Sequence, residues 1–117
     1  MIISHAKMAY KIISFNMHGF EQGNLILTHM CNDLLFDIIY IQEHWLSPDN
    51  LYKLCTISDR YICVGVSALE NKLSTSVLYG RPYGSVSILI NDIYKASLRI
   101  IKCAERYVLI ALGGVVF

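Results

Sequence analysis

The sequence predicts an α/β fold, and three observations lead there. The composition is 55% apolar and only 16% charged, against about 25% charged in a typical soluble domain, so most of the chain must be strand and core. Two strand-like runs, "KIISFNM" and "DIIYIQE", bracket a segment whose apolar residues recur at helical spacing. Further along, short apolar runs follow one another with turn residues between them, as antiparallel strands do. A chain of 117 residues has room for one domain.

In residues 11–17, Ile13, Phe15 and Met17 share one face and Ile12, Ser14 and Asn16 the other, which is strand periodicity. "HGFEQGN", with two glycines and polar residues, predicts a loop. Leu27, Met30, Cys31, Leu34 and Leu35 then fall at i, i+3, i+4, i+7 and i+8, one face of a helix, with Thr28, His29, Asn32 and Asp33 opposite. "DIIYIQE" is apolar on both faces, as a covered central strand should be. Strand, helix and strand within about 35 residues make a βαβ unit. Its two strands are therefore parallel, and their C-terminal ends share one edge of the sheet, the edge where open α/β sheets place ligands. Asn16 ends the first strand and Glu43 the second.

"LSPDNLYKLC" predicts a short helix with Ser47 as N-cap and Pro48 at its first position. "YICVGV" is a further strand, residues 67–84 a long polar loop, and "SVSILIN" an alternating strand with Val86, Ile88 and Ile90 on one face. "SLRIIKC" and "RYVLIAL" flank Ala104-Glu105 as a hairpin.

The net charge of +1 supplies no electrostatic case for nucleic acid or membrane, so such a partner has to be argued from a site. The four cysteines lack CxxC or histidine-paired metal spacing and lie in apolar stretches, where a free thiol acts as a small hydrophobe. A reduced, intracellular chain is expected. No run approaches the roughly 18 apolar residues of a membrane span, and the N-terminus lacks a signal-peptide pattern.

Asn16 and Glu43 form the sharpest constellation. The Glu43 carboxylate offers hard oxygens suited to Mg²⁺, which takes only one or two protein carboxylates and keeps several waters. Asn16 has donors for a phosphate oxygen or for that carboxylate. The bland alternative is a strand end whose glutamate reaches solvent or a lysine.

"KIISFNMHGF" followed by "DIIYIQEHWL" resembles the opening of the exonuclease–endonuclease–phosphatase family, and within it the endonuclease domains of non-LTR (LINE-type) retrotransposons. "GRPYGSVSILI" and "ERYVLIAL" resemble that subgroup's later segments, in the family's order. The resemblance implies the N-terminal half of a deoxyribonuclease I-like α/β sandwich and a Mg²⁺-dependent phosphodiesterase (Mn²⁺ substituting) acting on DNA. It implies Glu43 as metal ligand, Asn16 in the phosphate-and-metal site, and a phosphate or DNA contact for Arg106. A retroelement protein of this kind would work in the nucleus.

The chain also departs from that pattern. His18 stands where many relatives have Asn or another polar residue, and Ser85 where a glycine is common. No Gly-Asp-x-Asn segment and no C-terminal Asp-His pair is present, and all four histidines fall in the first 44 residues. Residues 1–117 are therefore expected to be part of a larger domain, inactive alone and prone to self-associate through an open sheet edge. The alternative is a non-catalytic remnant or interaction module that keeps only the sheet.

The other candidates carry bland readings. His44 is expected to be a packing or surface histidine, Trp45 and Leu46 core cover, and Arg81 a loop-tip charge. A zinc site from His29, Cys31, His44 and Cys55 has no recognised spacing.

Overall fold

In the computed structural model, which describes residues 9–66, 86–103 and 107–117, the chain forms a layer of helices on a four-stranded sheet, with a three-stranded sheet on the other side. The elements in order are β1 (Ile12–Asn16), α1 (Phe20–His29), β2 (Ile38–Gln42), α2 (Tyr52–Cys55), β3 (Tyr61–Val66), β4 (Val86–Asn91), β5 (Leu98–Cys103), β6 (Val108–Leu112) and β7 (Val115–Val116).

The expected crossover is present. β1 and β2 pair in parallel, Ile12 opposite Ile38 through Asn16 opposite Gln42. The strands β2, β4 and β3 continue the sheet antiparallel in the order β1-β2-β4-β3. The period-2 readings account for both faces of this sheet. Ile39, Ile41, Tyr61 and Leu89 face the helices and join Met17, Leu27, Met30, Cys31, Leu46 and Leu54 in one core. Ile38, Val64, Ile88 and Ile90 face the other way and meet Val108, Ile110 and Leu112 of β6 in a second. Burying a side chain of this size contributes about 1.5–3 kcal/mol, so β2 and β4, buried on both faces, anchor the molecule.

Several expectations need correction. The segment predicted as the loop "HGFEQGN" enters α1 at Phe20. Gly23, one of the two glycines behind that reading, is there because the helix crosses Met17 closely: a Cβ on it would lie 2.9 Å from Met17 Cβ and 3.0 Å from its Cα. The helical face holds at Leu27, Met30 and Cys31, but Leu34 and Leu35 are exposed. There the helix widens to a π turn over Met30–Leu34, and Leu35 closes it at φ 52°. Ser47 heads a 3₁₀ turn (Pro48–Asn50) rather than capping a backbone amide; its Oγ accepts from Asn50 Nδ2 at 2.9 Å. Cys31 is buried, and burial pushes its thiol up to about 11, whereas Cys55 is exposed and so is not a core hydrophobe.

The β5–β6 pairing expected of a hairpin is present and antiparallel, while residues 104–106 lie outside the described part. The edge of β6 expected to be open is partly covered: a turn at Gly113, φ 62°, returns β7 to pair Leu112 with Val115 and Ala111 with Val116. The 3₁₀ turn Asp92–Ser97, not anticipated, links the two sheets. Among the described residues no helix is long and apolar enough to cross a membrane.

Replacing Gly23 by alanine tests the packing of α1. Alanine ordinarily stabilises a helix interior by about 1 kcal/mol over glycine, but here two of the three atoms it would meet are Met17 backbone, which cannot rotate away. Gly23→Ala is expected to lower stability by about 1–3 kcal/mol, the usual cost of overpacking, in urea unfolding. Equal or greater stability would mean that α1 does not approach Met17 this closely.

Candidate functional site

At the C-terminal edge of the parallel pair the chain leaves both strands through turns that are zipped together by backbone. Three successive carbonyls from the last residue of β2 onward accept amides from the segment between β1 and the start of α1: Gln42 O from Met17 N at 2.9 Å, Glu43 O from Gly19 N at 2.8 Å, and His44 O from Phe20 N at 2.9 Å. This puts Asn16 and Glu43 on adjacent chains with their side chains in contact, and Asn16 Nδ2 donates to Glu43 Oε2.

The amide of Asn16 is oriented from both ends. Its Oδ1 accepts the backbone N–H of His18 at 3.0 Å, the geometry of an Asx turn, so the Nδ2 group must face Glu43. The amide carries a second N–H, and the carboxylate a second oxygen. The pair as built can donate to one anionic oxygen and offer one hard carboxylate oxygen to a cation. Among the described residues no three His, Cys, Asp or Glu side chains cluster as metal ligands.

The backbone here is strained. Glu43 (φ 54°), Trp45 (φ 58°) and His18 (φ 50°) are all left-handed without being glycine, at about 1–2 kcal/mol each. Gly19 (φ 93°) lies under the indole, since a Cβ on it would come 2.6 Å from Trp45 Cε3. Such outliers persist where the surroundings over-determine them, here through the backbone zip and the stacked Trp45. His44, between two left-handed residues, is wholly buried, and Leu46 joins the helix-side core. The packing reading of His44 and the core reading of Leu46 thus agree with the structure, whereas Trp45 is half-buried and stacks on Gly19.

Two cavities open at this edge. One, of about 270 Å³, lies between the start of α1 and residues 44–46. The other, of about 210 Å³, lies between the sheets and is lined by Tyr40, Gln42, Ser87 and Tyr107, among others. Burial raises the Tyr40 phenol above its ordinary pKa. Arg106 and Arg81 lie outside the described residues. Tyr107, next to Arg106 and not singled out from the sequence, lines the second cavity together with Val108. The Lys102 ammonium sits 5.6 Å from its ring centroid, and hydrogen bonding to Tyr107 raises the pKa of that lysine. An aromatic opening a strand of alternating apolar residues was the available signal. His29, weighed for zinc, instead contacts Asp33 at 2.6 Å one helical turn on.

No family model matches the chain, and no curated protein matches it. Among solved structures, the crystal structure of humanized D. rerio TDP2 with 14 mutations is similar to it, with a TM-score of 0.49 and 15% identity, over 92% of this chain and 44% of that one. The chain therefore spans less than half of the solved chain it matches.

The left-handed backbone at Glu43 gives a test separable from chemistry. Glu43→Ala and Glu43→Gly both delete the carboxylate, but only glycine adopts φ 54° without steric cost. Glu43→Gly is expected to be more stable than Glu43→Ala by about 1 kcal/mol in thermal or urea unfolding. An alanine variant at least as stable as the glycine one would show that residue 43 is not held left-handed.

Proposed function

We propose that this chain is the N-terminal half of a Mg²⁺-dependent phosphodiesterase domain of the exonuclease–endonuclease–phosphatase kind, related to retrotransposon endonucleases that nick DNA. The observation that supports this reading is the hydrogen bond between Asn16 and Glu43 at the C-terminal edge of a parallel strand pair. Nothing in core packing requires an amide and a carboxylate to meet there on strained backbone.

The donor set fits a hard divalent cation in kind: one carboxylate, oriented by a neutral amide that does not neutralise it. Glu43 would hold the ion through the oxygen that Asn16 leaves available. When bound, the ion supplies electrostatic stabilisation of charge developing on a phosphoryl group. Asn16 would donate its second N–H to an oxygen of the scissile phosphate and keep the carboxylate aimed. Water attack also needs a positioned base, worth typically 10²–10⁴-fold, and the Asp-His pair expected for it is absent from this sequence. In a retroelement protein the substrate would be chromosomal DNA, and the site of action the nucleus.

Two measurements test this. Mn²⁺ titration should show weak binding that Glu43→Ala abolishes, and supercoiled plasmid should not be nicked by residues 1–117 with ample Mg²⁺. Unchanged Mn²⁺ binding in the variant removes Glu43 from the site. Robust nicking that Glu43→Ala destroys would show that another residue serves as base.

A second reading, a non-catalytic remnant or interaction module that keeps only the sheet, has a different observation behind it. On the three-stranded sheet Ile100, Ile101 and Val116 are 57%, 48% and 60% exposed. A few hundred Å² of such surface covered is worth several kcal/mol at about 25 cal/mol per Å², comparable with the stability of a small domain. Size-exclusion chromatography with thermal melting separates the outcomes. Oligomers or a broad melt are expected for the chain alone; a monodisperse monomer with a sharp, cooperative melt would mean that these side chains need no cover.

A further inference from the structure

We propose that His44 is a positioning residue for Glu43, an inference that rests on the metal-binding reading of that carboxylate. The backbone N–H of Leu46 donates to His44 Nδ1 at 3.0 Å, within the core. A backbone amide only donates, so Nδ1 carries the lone pair and the ring proton is on Nε2. A side-chain acceptor taking the amide two residues on is the Asx turn, ordinarily made by Asn or Asp. The same contact recurs opposite it, where Asn16 Oδ1 accepts from His18 N at 3.0 Å.

The two turns face each other across the strand ends, and each contains left-handed residues: His18 in the first, Glu43 and Trp45 around the second. In the second, the carbonyls of Glu43 and His44 are fixed by Gly19 and Phe20, and the His44 ring holds the next peptide by accepting the Leu46 N–H. With the ring wholly buried, the 44–46 turn cannot relax without moving the core, and Glu43 stays at φ 54° with its carboxylate toward Asn16. His44 therefore acts on the site through backbone geometry and does not itself touch metal or substrate.

Two polar variants separate this from mere filling of space. In His44→Asn the amide oxygen occupies the place of Nδ1 and keeps the acceptor; in His44→Gln the polar group moves out to the place of Nε2 and the acceptor is lost. Mn²⁺ affinity in His44→Asn is expected within about threefold of the parent, and in His44→Gln at least about tenfold weaker, as for loss of an outer-shell partner. Hydrogen exchange at the Leu46 amide should stay slow in the first and become fast in the second. Equal affinity in the two variants, or better affinity in His44→Gln, overturns the proposal, as does failure of His44→Asn to fold. Failure of His44→Gln alone to fold supports it. If Glu43→Ala leaves Mn²⁺ binding unchanged, it is the metal reading that fails; the Leu46 exchange rates still decide whether His44 holds the turn.

Discussion

The register of β1 against β2 rests on a buried carboxylate, and the geometry of the site depends on that register. β2 is apolar on both faces, so its hydrophobic pattern would tolerate a slip of one residue that would expose an ordinary amphipathic strand. Asp37 removes that freedom. Almost wholly buried, it accepts the Lys11 backbone N–H on Oδ2 at 2.6 Å and the Tyr94 hydroxyl on Oδ1 at 2.7 Å. Its own N–H donates to Lys11 O, and its carbonyl accepts from Asn91 N. One residue thus fixes the entry of β1, the start of β2, the end of β4 and the turn after it. Hydrogen bonds to a charged group are worth about 1.5–3 kcal/mol each, enough to select one register. Tyr61 closes the same end, its hydroxyl donating to Phe36 O at 2.6 Å, with burial the first cause of a phenol pKa raised to about 12.

With the entry fixed, the exit follows. Five residues of parallel pairing carry the register from Ile12 opposite Ile38 to Asn16 opposite Gln42, and the three carbonyl bonds beyond hold Glu43 beside Asn16. Three of the four left-handed non-glycine residues among those described gather here, with Leu35 alone at the opposite end, where Asp37 makes its hydrogen bonds. This division lets strain at the site be met by hydrogen bonds and core contacts elsewhere in the same strand pair.

Most of this was legible because strand periodicity is a local signal. Ile13 and Phe15, and Ile88 and Ile90, each lie on the face that alternation gave them, and β2 is covered on both faces as its unbroken apolar run implies. The meeting of Asn16 with Glu43 followed from the βαβ crossover alone. What failed depended on contacts distant in sequence. Gly23 looked like a loop residue because its reason, the approach of Met17, is tertiary. Leu34 and Leu35 looked like helix face because nothing local announces a π turn. His44 was read as a packing or surface histidine and is packed, but its hydrogen bond to Leu46 lies between two left-handed residues, and neither glutamate nor tryptophan advertises that conformation. Asp37 was read only as the first residue of a strand, since a buried carboxylate is recognised by partners that lie before and after it in the chain.

The same geometry accounts for a site that is well aimed and weakly charged. Asn16, His44 and the backbone zip constrain one carboxylate from several directions, but orientation cannot replace the charge that further acidic ligands bring to a divalent cation. The described residues at this edge form no group of three His, Cys, Asp or Glu side chains that could hold a metal. What they supply is shape: one cavity against the helix layer and another between the sheets, with Tyr107 and Gln42 on the latter's wall. A partner segment bringing acidic ligands would have to reach Glu43 by this edge, because the helix layer covers one face of the central sheet and β6 packs on the other. The turns after β1 and β2 are therefore the part of the fold on which catalytic competence would have to be built.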